Sequence, residues 1–156
     1  MPIAGTPVVV VSSSTLDTDS MREFIRDYAS KNPLLADVEF SDTEINSAIT
    51  DTIDHANHIA RITTWTTGTF PSRYVLKLGA AGYLMTSESF RQVRNQASYQ
   101  DGNIQPIGID DKMAQYSQLA QSLKGEFVRL VTSLKVAENM AAADSLGSPV
   151  RQPWVY

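Results

Sequence analysis

The sequence predicts a mainly α-helical domain of four helices, the last one long, with a small β-hairpin between the third and fourth and an extended arm at each end. Three observations predict it. Apolar residues recur at helical spacing in four segments, Ser-x-x-Glu capping signals open two of them, and the last segment keeps a 3.5-residue apolar repeat over about thirty residues. The arms are residues 1–18 and 144–156, the helical domain is 19–143, and the hairpin lies at about 99–109.

Within the first arm, Val8 to Val11 is a β-branched run followed by Ser12-Ser13-Ser14-Thr15, the signature of a short strand or extended segment. It pairs either with another subunit or with the chain's own hairpin. Helix one starts near Asp19 or Ser20, where Ser20 and Glu23 have capping-box spacing, carries Met21, Phe24, Ile25 and Tyr28 at helical intervals, and stops at Asn32-Pro33. The link Leu34 to Phe40 is apolar enough to pack on the core. Ser41 and Glu44 then form a second capping box, and Ile45, Ala48, Ile49, Thr52, Ile53, Ala56 and Ile59 form the buried stripe of helix two. The segment Thr63 to Thr69, rich in threonine and holding Gly68, reads as the loop into helix three.

Pro71 suits the first turn of helix three because it loses no needed N–H there, and Tyr74, Val75, Leu78, Ala81, Gly82 and Met85 fall on one face. Gly79, Ala80, Ala81 and Gly82 allow close approach of a neighbouring helix. Arg91, Arg94, Asn95 and Gln96 follow, and Tyr99 to Ile104 reads as a hairpin turning at Asp101-Gly102. From Asp110 or Asp111 onward, Tyr116, Ala120, Leu123, Phe127, Leu130, Leu134, Ala137 and Ala141 alternate four- and three-residue steps, the seam of a helix that wants a partner. Such a helix spans roughly 50 Å against a diameter of roughly 40 Å for a compact chain of this size, so part of it projects or packs across subunits. Gly125 is the expected place for a bend or a close crossing.

The second arm contains Val150, Arg151, Pro153, Trp154, Val155 and Tyr156. Its prolines and glycine forbid helix, and its aromatic area suits insertion into a groove on another protein, with folding back over its own subunit as the other reading.

Composition narrows the function classes. A chain of 156 residues with 42% hydrophobic and 19% charged residues fits one globular domain. A formal net charge of −4 argues against a main task of neutralising DNA phosphates. Zero cysteines exclude disulfides, thiolate catalysis and cysteine-ligated zinc, and fit a reducing cytoplasm. No apolar run is long enough for a membrane span or a signal-peptide core, so a soluble protein is expected.

No catalytic residue, metal ligand or cofactor site is assigned. Asp51, Asp54, His55 and His58 make two i, i+4 pairs that could bind a metal, but the buried side of the same helix makes a solvated or subunit-facing surface the simpler reading. There is no Gly-x-Ser-x-Gly, and the glycines lack the spacing and lysine of a phosphate-binding loop. Arg91, Arg94, Asn95, Gln96 and Tyr99 could serve a subunit interface, with Asp37, Glu39, Asp42 and Glu44 as partners across it, or could face a DNA channel. Arg73 and Lys77 read as surface charges.

The order of these signals resembles the head-to-tail connector, or neck adaptor, proteins of tailed bacteriophages. The resemblance runs from Asp19 to about Glu138 through REFIRDYASKNPLLADVEFSDTEI, FPSRYVLKLGAAGYL, RQVRNQASYQDGN and DKMAQYSQLAQSLKGEF, and leaves out Met1 to Thr18. It implies a non-enzymatic virion protein, assembled in the host cytoplasm as a ring of twelve copies below the portal, joining the capsid vertex to the tail and continuing the DNA channel without binding DNA specifically. Its implied partners are the portal protein and the next neck or tail protein. The C-terminal arm would lock it to the portal, while Gly79, Gly82, Leu123, Phe127, Leu130 and Leu134 would pack the subunit and its ring neighbours. A tail-side stopper or tail-completion protein is the alternative within the same context. A small metal-binding regulator or enzyme would rest on the Asp51 to His58 cluster alone.

Overall fold

The computed structural model describes residues 15–31, 37–99 and 111–145; of 95–99, 111 and 144–145 it describes the backbone alone. Four α-helices are present among the described residues: α1 (Thr18–Ile25), α2 (Asp42–His58), α3 (Arg73–Tyr99) and α4 (Asp111–Ser145), with a 3₁₀ turn at Ala29–Lys31. No strand occurs among these residues. The expected hairpin is not seen: Tyr99, its first residue, closes α3, and 100–110 lie outside the described residues, as does the Val8 to Val11 run.

Helix α1 differs from expectation at both ends. Its N-cap is Asp17, whose carboxylate accepts from the Ser20 amide at 2.9 Å, so Ser20 is the capped residue and not the cap. It ends at Ile25, before Asn32-Pro33, because Arg26 takes a left-handed conformation (φ 62°) and the chain turns inward. Buried Asp27 explains the turn. Its carboxylate accepts from the Glu39 amide at 2.7 Å, the Phe40 amide at 3.0 Å and the Arg22 guanidinium at 3.0 Å, which fixes the chain entering α2. Arg22 also bonds Asp42 at 2.6 Å in the first turn of α2.

The Ser41–Glu44 capping box opens α2 as the sequence indicates, and all six helical members of its stripe are buried, from Ile45 to Ala56. Ile59, the seventh, is its C-cap and packs half-buried on the core. In α3, Pro71 stands just before the helix. Ser72 takes the cap, its carbonyl accepting from Leu76 N–H at 3.1 Å. Val75, Leu78, Ala81 and Gly82 are buried as expected, while Tyr74 is 58% exposed and touches Phe24 edge-on at 6.3 Å. Leu76, Ala80, Leu84 and Glu88 are buried too, so α3 is enclosed on more than one face.

Helices α2, α3 and α4 meet at Gly79. A Cβ there would lie 2.8 Å from the Phe127 ring of α4 and would overlap the Thr52 methyl of α2. Gly82 lies against Leu123 and Lys124 with slightly more room, its virtual Cβ being 3.0 Å from Lys124 Cγ. Gly125 is not a close crossing: it is exposed with nothing within 4 Å, and α4 runs unbroken through it. The seam of α4 is also wider than expected. Ala120, Phe127, Val131 and Lys135 are buried, Leu123, Leu130 and Leu134 are half-buried, and Ala137 and Ala141 are exposed. A helix that packs against two neighbours needs a broader apolar face than a two-stranded seam, which brings in Val131 and Lys135.

Replacing Gly79 by Ala should therefore destabilise the fold by about 2 kcal/mol net of the gain in helix propensity. Gly125→Ala should stabilise it by about 1 kcal/mol, because only propensity is at stake on an open face. Urea unfolding midpoints of the two variants should move in opposite directions.

Candidate interaction surface

Three charged groups hold the scaffold together: Lys135, Arg91, expected at a subunit interface or a DNA channel, and Arg73, expected as a surface charge. Lys135, 3% exposed, reaches from α4 to the C-terminal end of α2, where its ammonium donates to the carbonyls of Ala56 (2.5 Å), Ile59 (2.7 Å) and Arg61 (2.6 Å). A helix leaves its last carbonyls unsatisfied, and a cation there satisfies both their hydrogen bonding and the negative end of the helix dipole. The same ammonium lies 5.1 Å from the centre of the Trp65 ring. Sequence periodicity could not find it, since a lone lysine after a leucine reads as solvent-facing.

Arg91 is the second. It pairs with Glu39 and with buried Glu88, the latter at 2.8 Å, and Gln92 donates to Glu88 at 2.5 Å. Glu39 was expected to meet Arg91 across a subunit boundary; the pair closes within one chain, pinning the approach to α2 against α3. One guanidinium serves two carboxylates, so burial first, and then the charge of Glu88, push the Glu39 carboxyl above its ordinary range. Arg73 is the third: it donates to Ser20 Oγ at 2.5 Å and reaches Asp17 at 3.4 Å, which docks α1 on the start of α3. Beside it, the Lys77 ammonium lies 5.9 Å from the centre of the Phe24 ring. Neither Arg73 nor Lys77 is a purely solvated charge.

The remaining predicted site residues separate clearly. Gly79 and Phe127 sit in the centre of the core, and Gly82, Leu123, Leu130 and Leu134 around it, so the helix-packing set serves the subunit's own interior. Arg94 is exposed on α3, and Asn95, Gln96 and Tyr99 belong to its last turns. Val150, Arg151, Pro153, Trp154, Val155 and Tyr156 lie outside the described residues.

Among the histidines, His55 is half-buried, 5.8 Å from the Phe127 ring and edge-on to Tyr83 at 6.2 Å, while His58 donates its Nδ1–H to the Asp54 carbonyl at 2.7 Å. Burial and the nearby Lys124 charge hold the His55 pKa below its usual value. No cluster of three or more His, Cys, Asp or Glu residues arranged for a metal occurs among the described residues.

Several large apolar side chains stay exposed, most of them toward the two ends of the α3–α4 pair, with Tyr74 exposed at the start of α3 and Val128 exposed beside the central crossing. Toward the end of α3 and the start of α4, Phe90 is 63% exposed, and Val93, Met113 and Leu119 are also open. Beyond Lys135, Val136 and Met140 are exposed, the latter 65%, and Ile62 before α3 is 76% exposed. Ile62 lines an open cleft of about 320 Å³ together with Arg61, Thr63, Thr64, Trp65, Lys135, Glu138 and Asn139. Among the described residues no helix is long and apolar enough to cross a membrane. Compared with protein families, curated proteins and solved structures, the chain finds no match.

The carboxylate pair gives two expectations. Arg91→Ala leaves Glu88 buried without its cation and should cost about 3 kcal/mol in urea unfolding at pH 7. For Glu39, a raised folded pKa means that the protonated form is favoured by folding. Its contribution is full below the unfolded pKa and is lost as pH rises through the folded one. Glu39→Gln should thus gain stability relative to the parent between pH 4 and pH 7; a parallel pair of stability curves would show that the carboxyl titrates as it does unfolded.

Proposed function

We propose that the protein is a neck adaptor of a tailed bacteriophage, a virion structural protein that forms a ring below the portal, joins the capsid vertex to the tail and continues the DNA channel. The observation that carries the reading is the uncovered apolar surface at both ends of the α3–α4 pair, Phe90, Val93, Met113 and Leu119 at one end and Ile62, Val136 and Met140 at the other. Exposed apolar side chains at both ends suit a head-to-tail contact between copies, the kind that closes into a ring, whereas a two-fold dimer needs only one self-complementary surface. The sequence resemblance between Asp19 and about Glu138 supplies the phage context and the expected number of twelve copies.

In this reading the three-helix crossing at Gly79 makes the subunit rigid, and the ends of α3 and α4 are covered by ring neighbours. The arm from Val150 to Tyr156 locks the ring to the portal through its aromatic residues, and the far face receives the next neck or tail protein. DNA passes through the ring without specific contacts, which agrees with a net charge of −4. The energy of the assembly is buried area and ring closure, with no turnover involved.

Native mass spectrometry of the protein with purified portal rings tests this. The full chain should add in near-stoichiometric number to the portal. A chain ending at Asp144 should lose portal binding, and the full chain carrying Phe90→Ser and Met140→Ser should lose association between copies while keeping its unfolding midpoint within about 0.5 kcal/mol, as surface changes do. A monomer indifferent to the portal in every form would remove the reading.

A further inference from the structure

The oxygens around the Lys135 ammonium come from more than the end of a helix. Ala56 and Asn57 belong to the last turn of α2, Ile59 is its C-cap and Arg61 lies beyond it, yet their carbonyls converge on Nζ at 2.5, 3.4, 2.7 and 2.6 Å. The backbone bends to achieve this. Ala60, between the two outer carbonyls, takes a left-handed conformation (φ 56°) that a residue with a Cβ seldom adopts. Carbonyl oxygens that face one point repel one another until a cation occupies it, and an ammonium offers three donors and no acceptor. Converging backbone carbonyls are also how a protein replaces the hydration shell of a free monovalent cation.

Contacts that do not involve the lysine hold the walls of this site. Asn57 Nδ2 donates to the Trp65 carbonyl at 3.0 Å, Asn57 Oδ1 accepts from Trp65 N–H and from the Thr63 hydroxyl at 2.9 Å each, and the Asn57 carbonyl accepts from Thr63 N–H at 3.1 Å. Trp65 is braced edge-on against buried Phe70 at 5.2 Å and presents its ring 5.1 Å from the ammonium, as an aromatic wall for a cation does. The Arg61 guanidinium bonds Asn139 of α4, which fixes the outermost oxygen donor. An entry path exists too, since Lys135, Arg61 and Trp65 line the open cleft of about 320 Å³.

We propose that the end of α2 and the chain running on to Trp65 form a binding site for a primary ammonium ion, which the protein fills with its own Lys135 and which a free alkylammonium ion fills when that side chain is cut back. The lysine is then a tethered ligand. The site does not depend on the neck-adaptor reading, because every group that builds it lies within one chain.

Lys135→Ala in the full chain removes Cγ, Cδ, Cε and Nζ, the heavy atoms of propylammonium. Its urea midpoint should fall, and propylammonium chloride should restore at least half of the loss at constant ionic strength, rising with concentration as binding to the folded state requires. Tetramethylammonium chloride, a cation without an N–H, should restore none of it. Lys135→Met fills the stem without the charge and should respond to neither salt. If Lys135→Ala is unfolded in plain buffer, the same comparison is made on the recovery of its helical circular dichroism. Equal responses to the two salts, or none to propylammonium, would overturn the proposal. The unaltered protein gives a second readout in NMR. Proton exchange at the Lys135 ammonium should be at least tenfold slower than at exposed Lys112, and equal rates would overturn the proposal as well.

Discussion

The fold depends on one crossing, where the backbone of α3 at Gly79 lets the Thr52 methyl of α2 and the Phe127 ring of α4 come together. Thr52 can occupy that place because its hydroxyl turns back to the Ala48 carbonyl at 2.7 Å, leaving only the methyl toward α3. Phe127 is fully buried, and Met21, Ile45, Leu76 and Val131 are the other large apolar side chains with almost no exposure. Three helices that touch at one point could still pivot about it. The charged contacts prevent this by acting at a distance from the crossing: Lys135 ties α4 to the end of α2, Arg91 and Glu88 tie α3 to the chain entering α2, and Arg73 ties α1 to the start of α3.

These contacts explain why the surface is organised as it is. Lys135 is buried while Arg91 and Arg73 stay partly exposed, and α4 between Lys112 and Lys124 has no other charged residue. Its open positions there are amides, small residues, Met113 and Leu119, a surface that repels neither sign of partner. A surface of this kind offers shape and apolar area rather than charge.

Much of the helical layout is legible in the sequence, because periodicity and capping chemistry are local. Ser41 and Glu44 fix the start of α2, the Ile45 to Ala56 stripe fixes its buried side, and Gly79 with Gly82 marks where another helix comes close. What the sequence hides is non-local. Asp27 stops α1 early through bonds to Glu39 and Phe40, more than ten residues away, and nothing near Arg26 announces it. Lys135 looks like any exposed lysine until the end of α2 is brought beside it. The Arg91–Glu39 pair shows the same limit from the other direction: complementary charges can be matched by sequence, but whether they meet within a chain or between chains is decided by the fold.

Helix α4 carries the last step. It has 35 residues, about 52 Å, and its buried positions run only from Ala120 to Lys135. The turns after Lys135 are helical because they continue a helix already nucleated, since a short separate helix would be marginal in water. Val136 and Met140 on those turns are 51% and 65% exposed and do not belong to the described core. Exposed apolar side chains on these turns gain roughly 25 cal/mol per Å² only when that area is removed from water. The same holds for Phe90 at the opposite end. The centre closes on its own contacts, while the exposed apolar area at Phe90, Val136 and Met140 contributes stability only where something removes it from water.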